Sequence, residues 1–422
     1  MGNGILIASP HSGSGKTVVT LGLLRALSRI NNVRAAKSGP DYIDPRFHEV
    51  ASGNQSLNLD TWAMSEDRIK NLSSGKGTLI VEGAMGLFDG DSSGKSGSAA
   101  SLAKILGLQV ILIIDCSKMA QSVAAIVKGF VSYDPNVKFL GIILNKIGSD
   151  KHLKMINESL SDKSFPPVIG FLKRSNKFHL PSRHLGLIQA TEKKDLNVWL
   201  DKLANEIENS VKLDKLKNNI SIKNKKLKPK FKSPGKIIAI AKDKAFSFIY
   251  PHLVRDWVAQ GSKINYFSPL ADEIVPESDF IFLPGGYPEL YAKKLAENRQ
   301  FLDSVRDAAK DTKVYGECGG YMALGESLVD GDGNSHKMLN LLDLVTSIET
   351  PKLTLGYRKL RAFPGSIEGT FRGHEFHYAR TLKASGKKLF TSSDASDNSL
   401  ADLGLISGRV SGSFAHIIDF CE

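Results

Sequence analysis

Short runs of aliphatic residues punctuate the first half of the chain: Ile5-Leu6-Ile7, Leu79-Ile80-Val81, Val110 to Ile114 and Phe139 to Leu144. Between them lie longer stretches of helical character, such as Thr17 to Ile30 and Ser117 to Phe130. Apolar runs without polar alternation suit strands buried on both faces, and strands alternating with helices suit a parallel sheet covered on both sides. The second half repeats the style at Ile237 to Ala241, Tyr266-Phe267, Phe280 to Leu283 and Val314-Tyr315, with a run of short strands toward the C-terminus. The pattern predicts an α/β chain without short-period repeats or heptads. Its domains are expected at 1–205 and 237–422, joined by residues 206–236.

At 422 residues the chain is too long for one ordinary core and comfortable for two. Apolar residues make up 41% and charged residues 24%, which excludes a disordered or fibrous chain. No apolar run approaches the roughly 18 residues that span a bilayer. No charged segment precedes an apolar stretch at the N-terminus, so a secretory signal is not expected. Gly2 invites a myristoylation reading, but Leu6 stands where Ser or Thr is wanted. A soluble cytoplasmic protein without a membrane partner is the expectation. Cys116, Cys318 and Cys421 form no paired spacing, which argues against a disulfide framework or a cysteine zinc site.

The net charge of +12 changes the picture only until it is located. Ten lysines and one aspartate, a local +9, fall between Val211 and Lys236, leaving +3 elsewhere. The segment is rich in Lys and Asn with little apolar content, as a solvated linker would be. A basic nucleic-acid arm is the rival reading, but no aromatic residues interleave the charges, so no nucleic-acid partner is expected.

The first candidate chemistry is a phosphate loop. A strand at Ile5 to Ala8 runs into Ser9-Pro-His-Ser-Gly-Ser-Gly-Lys-Thr17, and a helix follows at once. Gly13, Ser14 and Gly15 let backbone N–H groups converge on phosphate, Lys16 neutralises β/γ charge, and Thr17 offers a hydroxyl to Mg²⁺. Pro10 departs from the usual pattern by standing where the first glycine belongs. Glu82, ending a strand and followed by Gly83-Ala-Met-Gly-Leu-Phe-Asp-Gly90, supplies the carboxylate that an ATP-bound Mg²⁺ needs. Gly39-Pro-Asp-Tyr-Ile-Asp-Pro45 is either a turn capped by Asp41 and Asp44 or a substrate or metal loop near the γ-phosphate. Asn145-Lys146 is either an ordinary strand end or a contact for the adenine edge. A P-loop switch that partitions cargo is the natural rival, although His11 stands where many such proteins carry an extra lysine.

The second candidate is a thiol. Val314-Tyr-Gly-Glu-Cys318-Gly-Gly-Tyr-Met-Ala-Leu-Gly325 places a cysteine on a sharp strand-to-helix turn whose glycines permit a strained elbow. A helix N-terminus beneath the sulfur would favour thiolate. Gly285 and Gly286, in Leu283-Pro-Gly-Gly-Tyr-Pro-Glu289, offer N–H groups to an oxyanion. The base should be a distant histidine. His416 is preferred, with His374 and His377 as competitors whose spacing does not make a zincin box.

These residues together resemble the cobyrinate or hydrogenobyrinate a,c-diamide synthase family of cobalamin biosynthesis, in order along the whole chain. The resemblance rests on the Ser-Gly-Ser-Gly-Lys-Thr loop, Lys37-Ser-Gly-Pro-Asp-Tyr-Ile-Asp-Pro45, Asn58-Leu-Asp-Thr-Trp62 and Val81-Glu-Gly-Ala-Met-Gly-Leu-Phe-Asp-Gly90. It continues through Leu283-Pro-Gly-Gly-Tyr-Pro-Glu289, Tyr315-Gly-Glu-Cys-Gly-Gly320 and Arg372-Gly-His-Glu-Phe-His-Tyr378. It implies a P-loop, dethiobiotin-synthetase-like parallel-sheet domain followed by a class I glutaminase-like α/β domain. It further implies Cys318 as nucleophile, His416 as its base, and Gly286 and Gly319 as oxyanion donors. Class I glutaminases often carry an acid two residues after the histidine; Ile418 stands there, so the resemblance implies a dyad. ATP and Mg²⁺ would be held by Lys16, Thr17, Glu82 and Asp41, while Tyr42 and Asp44 would orient a corrinoid side chain. The implied partners are a corrinoid, L-glutamine and ATP, with a homodimer as an open possibility. The implied reaction is successive amidation of the c and a acetates through acyl phosphates. The same motifs would serve a ligase for nickel sirohydrochlorin.

Overall fold

The computed structural model describes residues 4–92, 94, 96–183, 186–216, 230–364 and 367–421. The chain divides into two compact units between residues 227 and 228.

The first unit is built on seven strands: β1 (Gly4–Ala8), β2 (Val33–Ser38), β3 (Leu57–Leu59), β4 (Thr78–Glu82), β5 (Gln109–Asp115), β6 (Lys138–Ile147) and β7 (Val168–Lys173). All pair in parallel, in the order β3-β2-β4-β1-β5-β6-β7. The aliphatic runs predicted from the sequence are its centre, and Val110 to Ile114 are wholly buried. In an open parallel sheet the loops at the carboxyl ends of the strands form the ligand crevice. Here the register sets Ile7 and Lys37 on either side of Glu82 at that edge.

Helix α1 (Lys16–Ser28) leaves the phosphate loop at Gly15, which adopts φ 88°, a conformation glycine takes freely. Gly22 on α1 lies where a Cβ would meet Ile207 and Leu203 of the helix Leu196–Ser210, and Arg25 pairs with Asp201 at 2.8 Å beside that contact. That last helix therefore runs past residue 205. The helix expected from Ser117 begins only at Ser122, because Asp115 Oδ1 accepts the Ser117 N–H and holds the intervening stretch as a turn.

Of the Lys-rich stretch, residues 217–229 lie outside the described residues. Its ends pack: Leu216 is buried, the Lys230 and Phe231 amides donate to Asp256 Oδ2, and the Phe231 ring lies against Trp257 and Phe371.

The second unit holds a six-stranded sheet ordered Lys263–Phe267, Ile237–Ala241, Phe280–Leu283, Lys313–Glu317, Val410–Ser413 and Leu405–Ser407, parallel except for the last strand. A five-stranded antiparallel sheet sets His416–Cys421 against Thr370–His377, with His374 opposite His416. Val410–Ser413 lies beside Lys313–Glu317 in the first sheet, and the chain then enters the second sheet at His416. Two residues thus separate the strand beside the cysteine elbow from the histidine. Among the described residues no helix is long and apolar enough to cross a membrane.

Candidate active sites

The phosphate loop is open at its mouth and braced from below. A Cβ on Gly13 would meet nothing within 4 Å, whereas one on Gly15 would strike Asn145 Nδ2 at 2.2 Å. Asn145 donates to the Ser14 carbonyl at 2.9 Å, and Lys146 reaches the Gly13 carbonyl at 3.2 Å while pairing with Asp115 at 2.6 Å. Asn145 and Lys146 therefore hold the loop backbone. Ser14 is wholly buried, its hydroxyl donating to the His11 carbonyl.

Lys16 donates to Ser9 Oγ and to the Met85 carbonyl, groups that phosphate oxygens would replace. Burial, then the neighbouring Lys37 charge, lowers its ammonium to about 8. Thr17 Oγ1 donates to Glu82 Oε1 at 2.7 Å. Beside them stands a group the sequence did not single out. The Lys37 ammonium is buried among three carboxylates, pairing with Asp44, with Glu82 at 2.9 Å and with Asp41 at 3.8 Å. Burial opposes its charge, but Asp44 and Glu82 hold it protonated well above the ordinary lysine range. Burial likewise opposes the Glu82 carboxylate, yet Lys37 and a 2.7 Å hydrogen bond with His48 Nε2 keep it far below the usual range. Asp41 Oδ1 caps the start of the following helix through the Ile43 and Asp44 amides, as the turn reading of this segment expects.

Lys16, Thr17, Lys37, Asp41, Asp44 and Glu82 line a cavity of about 720 Å³. It meets a second cavity of about 1030 Å³ across Gly15, Lys146 and Phe178, where Trp199 provides an aromatic wall. Tyr42 is nearly buried and does not line the first cavity, whereas Asp44 does. Among the described residues no cluster of three or more His, Cys, Asp or Glu side chains is arranged to hold a metal alone. A nucleotide-borne Mg²⁺ needs only one or two carboxylates beside phosphate and water, and the oxygens of Thr17, Asp41 and Glu82 fit that demand.

The thiol site is equally local in origin. Cys318 adopts φ 48°, ψ −106°, a strained conformation for a residue with a side chain, and its amide donates to the Ser413 carbonyl at 2.8 Å. A Cβ placed on Gly285 would lie 3.3 Å from Cys318 Cβ, 3.3 Å from His416 Nδ1 and 2.3 Å from His416 Cε1. Thiol and imidazole thus flank one glycine. His374 stacks on His416 with ring centroids 5.1 Å apart and bonds Tyr250 at 2.9 Å, while His377 stacks on Phe414. A Cβ on Gly319 would lie 3.1 Å from the Gly286 nitrogen, and one on Gly286 would strike the Ala245 carbonyl at 2.1 Å. The two expected oxyanion donors are therefore neighbours, packed where no side chain fits.

The resting charge state departs from expectation. Burial first, then the Glu289 carboxylate, pushes the Cys318 thiol well above its ordinary range, and the Gly319 N–H bond opposes this only in part. Burial and nearby His377 lower His416 to about 3. The helix after Cys318 spans only Gly319–Leu324, and its N-terminus does not outweigh desolvation of a sulfur in a residue only 5% exposed. The resting pair is a thiol and a neutral imidazole.

Residues 5–188 match the CobQ/CobB/MinD/ParA nucleotide binding domain, and residues 237–420 match the CobB/CobQ-like glutamine amidotransferase domain. Over its full length the chain is similar to proteins named hydrogenobyrinate a,c-diamide synthase. Identity is 47% with that of Brucella anthropi, covering 99% of each chain. It is 44% with that of a Sinorhizobium species, again covering 99% of each, and 43% with that of Rhizobium meliloti, covering 100% of each.

Proposed function

Because the chain belongs to the hydrogenobyrinate a,c-diamide synthase family, we propose that it amidates the a and c acetates of hydrogenobyrinate, using ATP and glutamine. It is an ATP-dependent, amide-forming ligase with a glutamine amidotransferase domain. We assign the ligase to residues 1–205 and the glutaminase to 237–422, with 206–236 joining them.

The observation that carries the reading is the presence in one chain of both machines. Lys16 and Thr17 converge on a buried carboxylate, and a strained elbow sets Cys318 against His416. In the glutaminase, Cys318 Sγ attacks the carboxamide carbon of glutamine while His416 takes the thiol proton. The developing oxyanion is received by the Gly286 and Gly319 N–H groups. The C–N bond then breaks, the proton passes to the leaving nitrogen, and ammonia departs. Water hydrolyses the thioester to glutamate and restores the thiol.

In the ligase, a corrinoid carboxylate oxygen attacks the γ-phosphorus, ADP leaves, and ammonia displaces phosphate from the acyl phosphate. Lys16 and the loop amides bear on the β- and γ-oxygens where charge develops. Lys37 draws Asp41, Asp44 and Glu82 together and offsets part of their mutual repulsion, and Asp44 and Tyr42 orient the acetate. Mg²⁺, held by Thr17, Asp41 and Glu82, would neutralise charge on the triphosphate.

Hydrogenobyrinate carrying ¹⁸O in its carboxylates tests the acyl phosphate. One ¹⁸O should appear in inorganic phosphate for each amide formed. Phosphate free of label while amides accumulate would refute that intermediate.

A further inference from the structure

Ile418 stands two residues after His416, where an acid would complete a triad, but the fold brings an acid from another strand. Glu317 immediately precedes the nucleophile, and its Oε2 lies 3.6 Å from His416 Nδ1, both side chains being buried. The carboxyl group is firmly tethered. Its Oε1 accepts the Ile417 amide at 3.1 Å and the Tyr315 hydroxyl at 3.3 Å. Ile417 follows His416 directly, so one carboxyl grips the backbone of the histidine's strand and faces its ring. Among the described residues no lysine or arginine pairs with Glu317, which makes its burial costly unless the imidazole is its partner.

We infer that Glu317 is the positioning residue of the Cys318–His416 pair, fixing the imidazole through Nδ1 and balancing its charge when the thiol proton arrives. The inference rests on the glutaminase reading above. In the reactive form Glu317 is a carboxylate and the neutral imidazole carries its one proton on Nδ1, facing Glu317 Oε2, which leaves Nε2 free to accept. A second moves from Cys318 Sγ to His416 Nε2 as the S–C bond forms, and then to the departing amide nitrogen. Burial raises the Glu317 carboxyl to about 8, so below that pH the pair carries an extra proton that blocks Nε2, and above it that proton is released to solvent and the reactive form is reached. Tyr315, Cys318 and His416 face it directly, while His374, His377, Glu375 and Glu289 surround the thiol and imidazole.

The test uses the full chain with ATP, Mg²⁺ and hydrogenobyrinate, comparing Glu317→Gln, Glu317→Asp and the unaltered protein. Glutamine-driven and ammonia-driven amidation are measured on the same preparations, with the pH dependence of Cys318 alkylation by iodoacetamide. Glu317→Gln should lower the glutamine-driven kcat by about 10- to 100-fold with KM changed less than about twofold, and keep ammonia-driven turnover. The unaltered chain's alkylation rate should rise through pH about 8, and that rise should vanish in Glu317→Gln. Glu317→Asp should recover part of kcat and keep the rise. If Glu317→Gln also loses ammonia-driven turnover, Glu317→Asp decides, since an alkylation profile without the rise contradicts the role. A Glu317→Gln kcat within about twofold of the unaltered chain, or a loss that leaves the alkylation profile unmoved, overturns the inference. Failure of the unaltered chain to hydrolyse glutamine while it amidates with ammonia overturns the glutaminase reading itself.

Discussion

Replacing Gly285 by alanine perturbs the thiol site at its narrowest point. The new methyl would lie 2.3 Å from His416 Cε1 and 3.3 Å from Cys318 Cβ. Carbon atoms rest comfortably at about 3.5–4.0 Å, so the imidazole must retreat by about 1.2 Å or more. Gly285 cannot yield instead, because its carbonyl accepts the Ser247 and Phe248 amides at 3.0 and 2.9 Å. His416 is backed by the stacked His374 ring, so it would leave its position along the sheet rather than tilt in place. A misplacement near 1 Å lowers turnover by about 100-fold, or about 2.7 kcal/mol of barrier. Overpacking destabilises by about 1–3 kcal/mol, which thermal unfolding would register separately. The assay is amidation driven by glutamine against amidation driven by ammonia. Glutamine-driven kcat/KM should fall about 100-fold while ammonia-driven turnover persists. A glutamine-driven value within about threefold of the unaltered chain would refute the placement of His416 against the elbow.

Two further predictions concern the phosphate site. Lys37→Met leaves Asp41, Asp44 and Glu82 without their buried cation, and should destabilise the chain by about 3–5 kcal/mol and abolish amidation from either nitrogen source. Denaturant unfolding checks the first, and unchanged stability would contradict the ion-pair reading. Because Lys16 sits at about 8 before nucleotide binds, its proton is already present below that pH and must be taken up above it. ATP affinity should therefore weaken as pH rises above about 8, with proton uptake visible by calorimetry in buffers of different ionisation enthalpy. A pH-independent affinity between 7 and about 9.5 would contradict it.

Both nucleation points of function were legible because their signals are local. Glycine spacing around Lys16 and Cys318 reports strained backbone directly, and the continuous apolar runs report the parallel sheets. What escaped depends on register and on chain-distant contacts. Lys37 looks like any strand lysine until β2 and β4 pair it with Glu82. Glu317 reads as an elbow residue until a strand begun at residue 416 crosses behind it. The antiparallel sheet of the second unit was hidden in part by strands such as Ser399–Leu403, which is largely exposed and carries no apolar run. The expected thiolate failed for a physical reason of the same kind. Burial of the sulfur is a tertiary property, and it outweighs the dipole of a one-turn helix.

Mass spectrometry of the amidation products tests the two-site chemistry most directly. Hydrogenobyrinate and cobyrinate are supplied separately with ATP, Mg²⁺ and glutamine to the unaltered chain and to Cys318→Ala. Two successive acid-to-amide conversions of hydrogenobyrinate are expected from the unaltered chain, with Cys318→Ala active only on added ammonia. A Cys318→Ala chain that still uses glutamine would contradict the role of the thiol. Amidation of neither corrinoid by the unaltered chain would contradict the assignment of substrate.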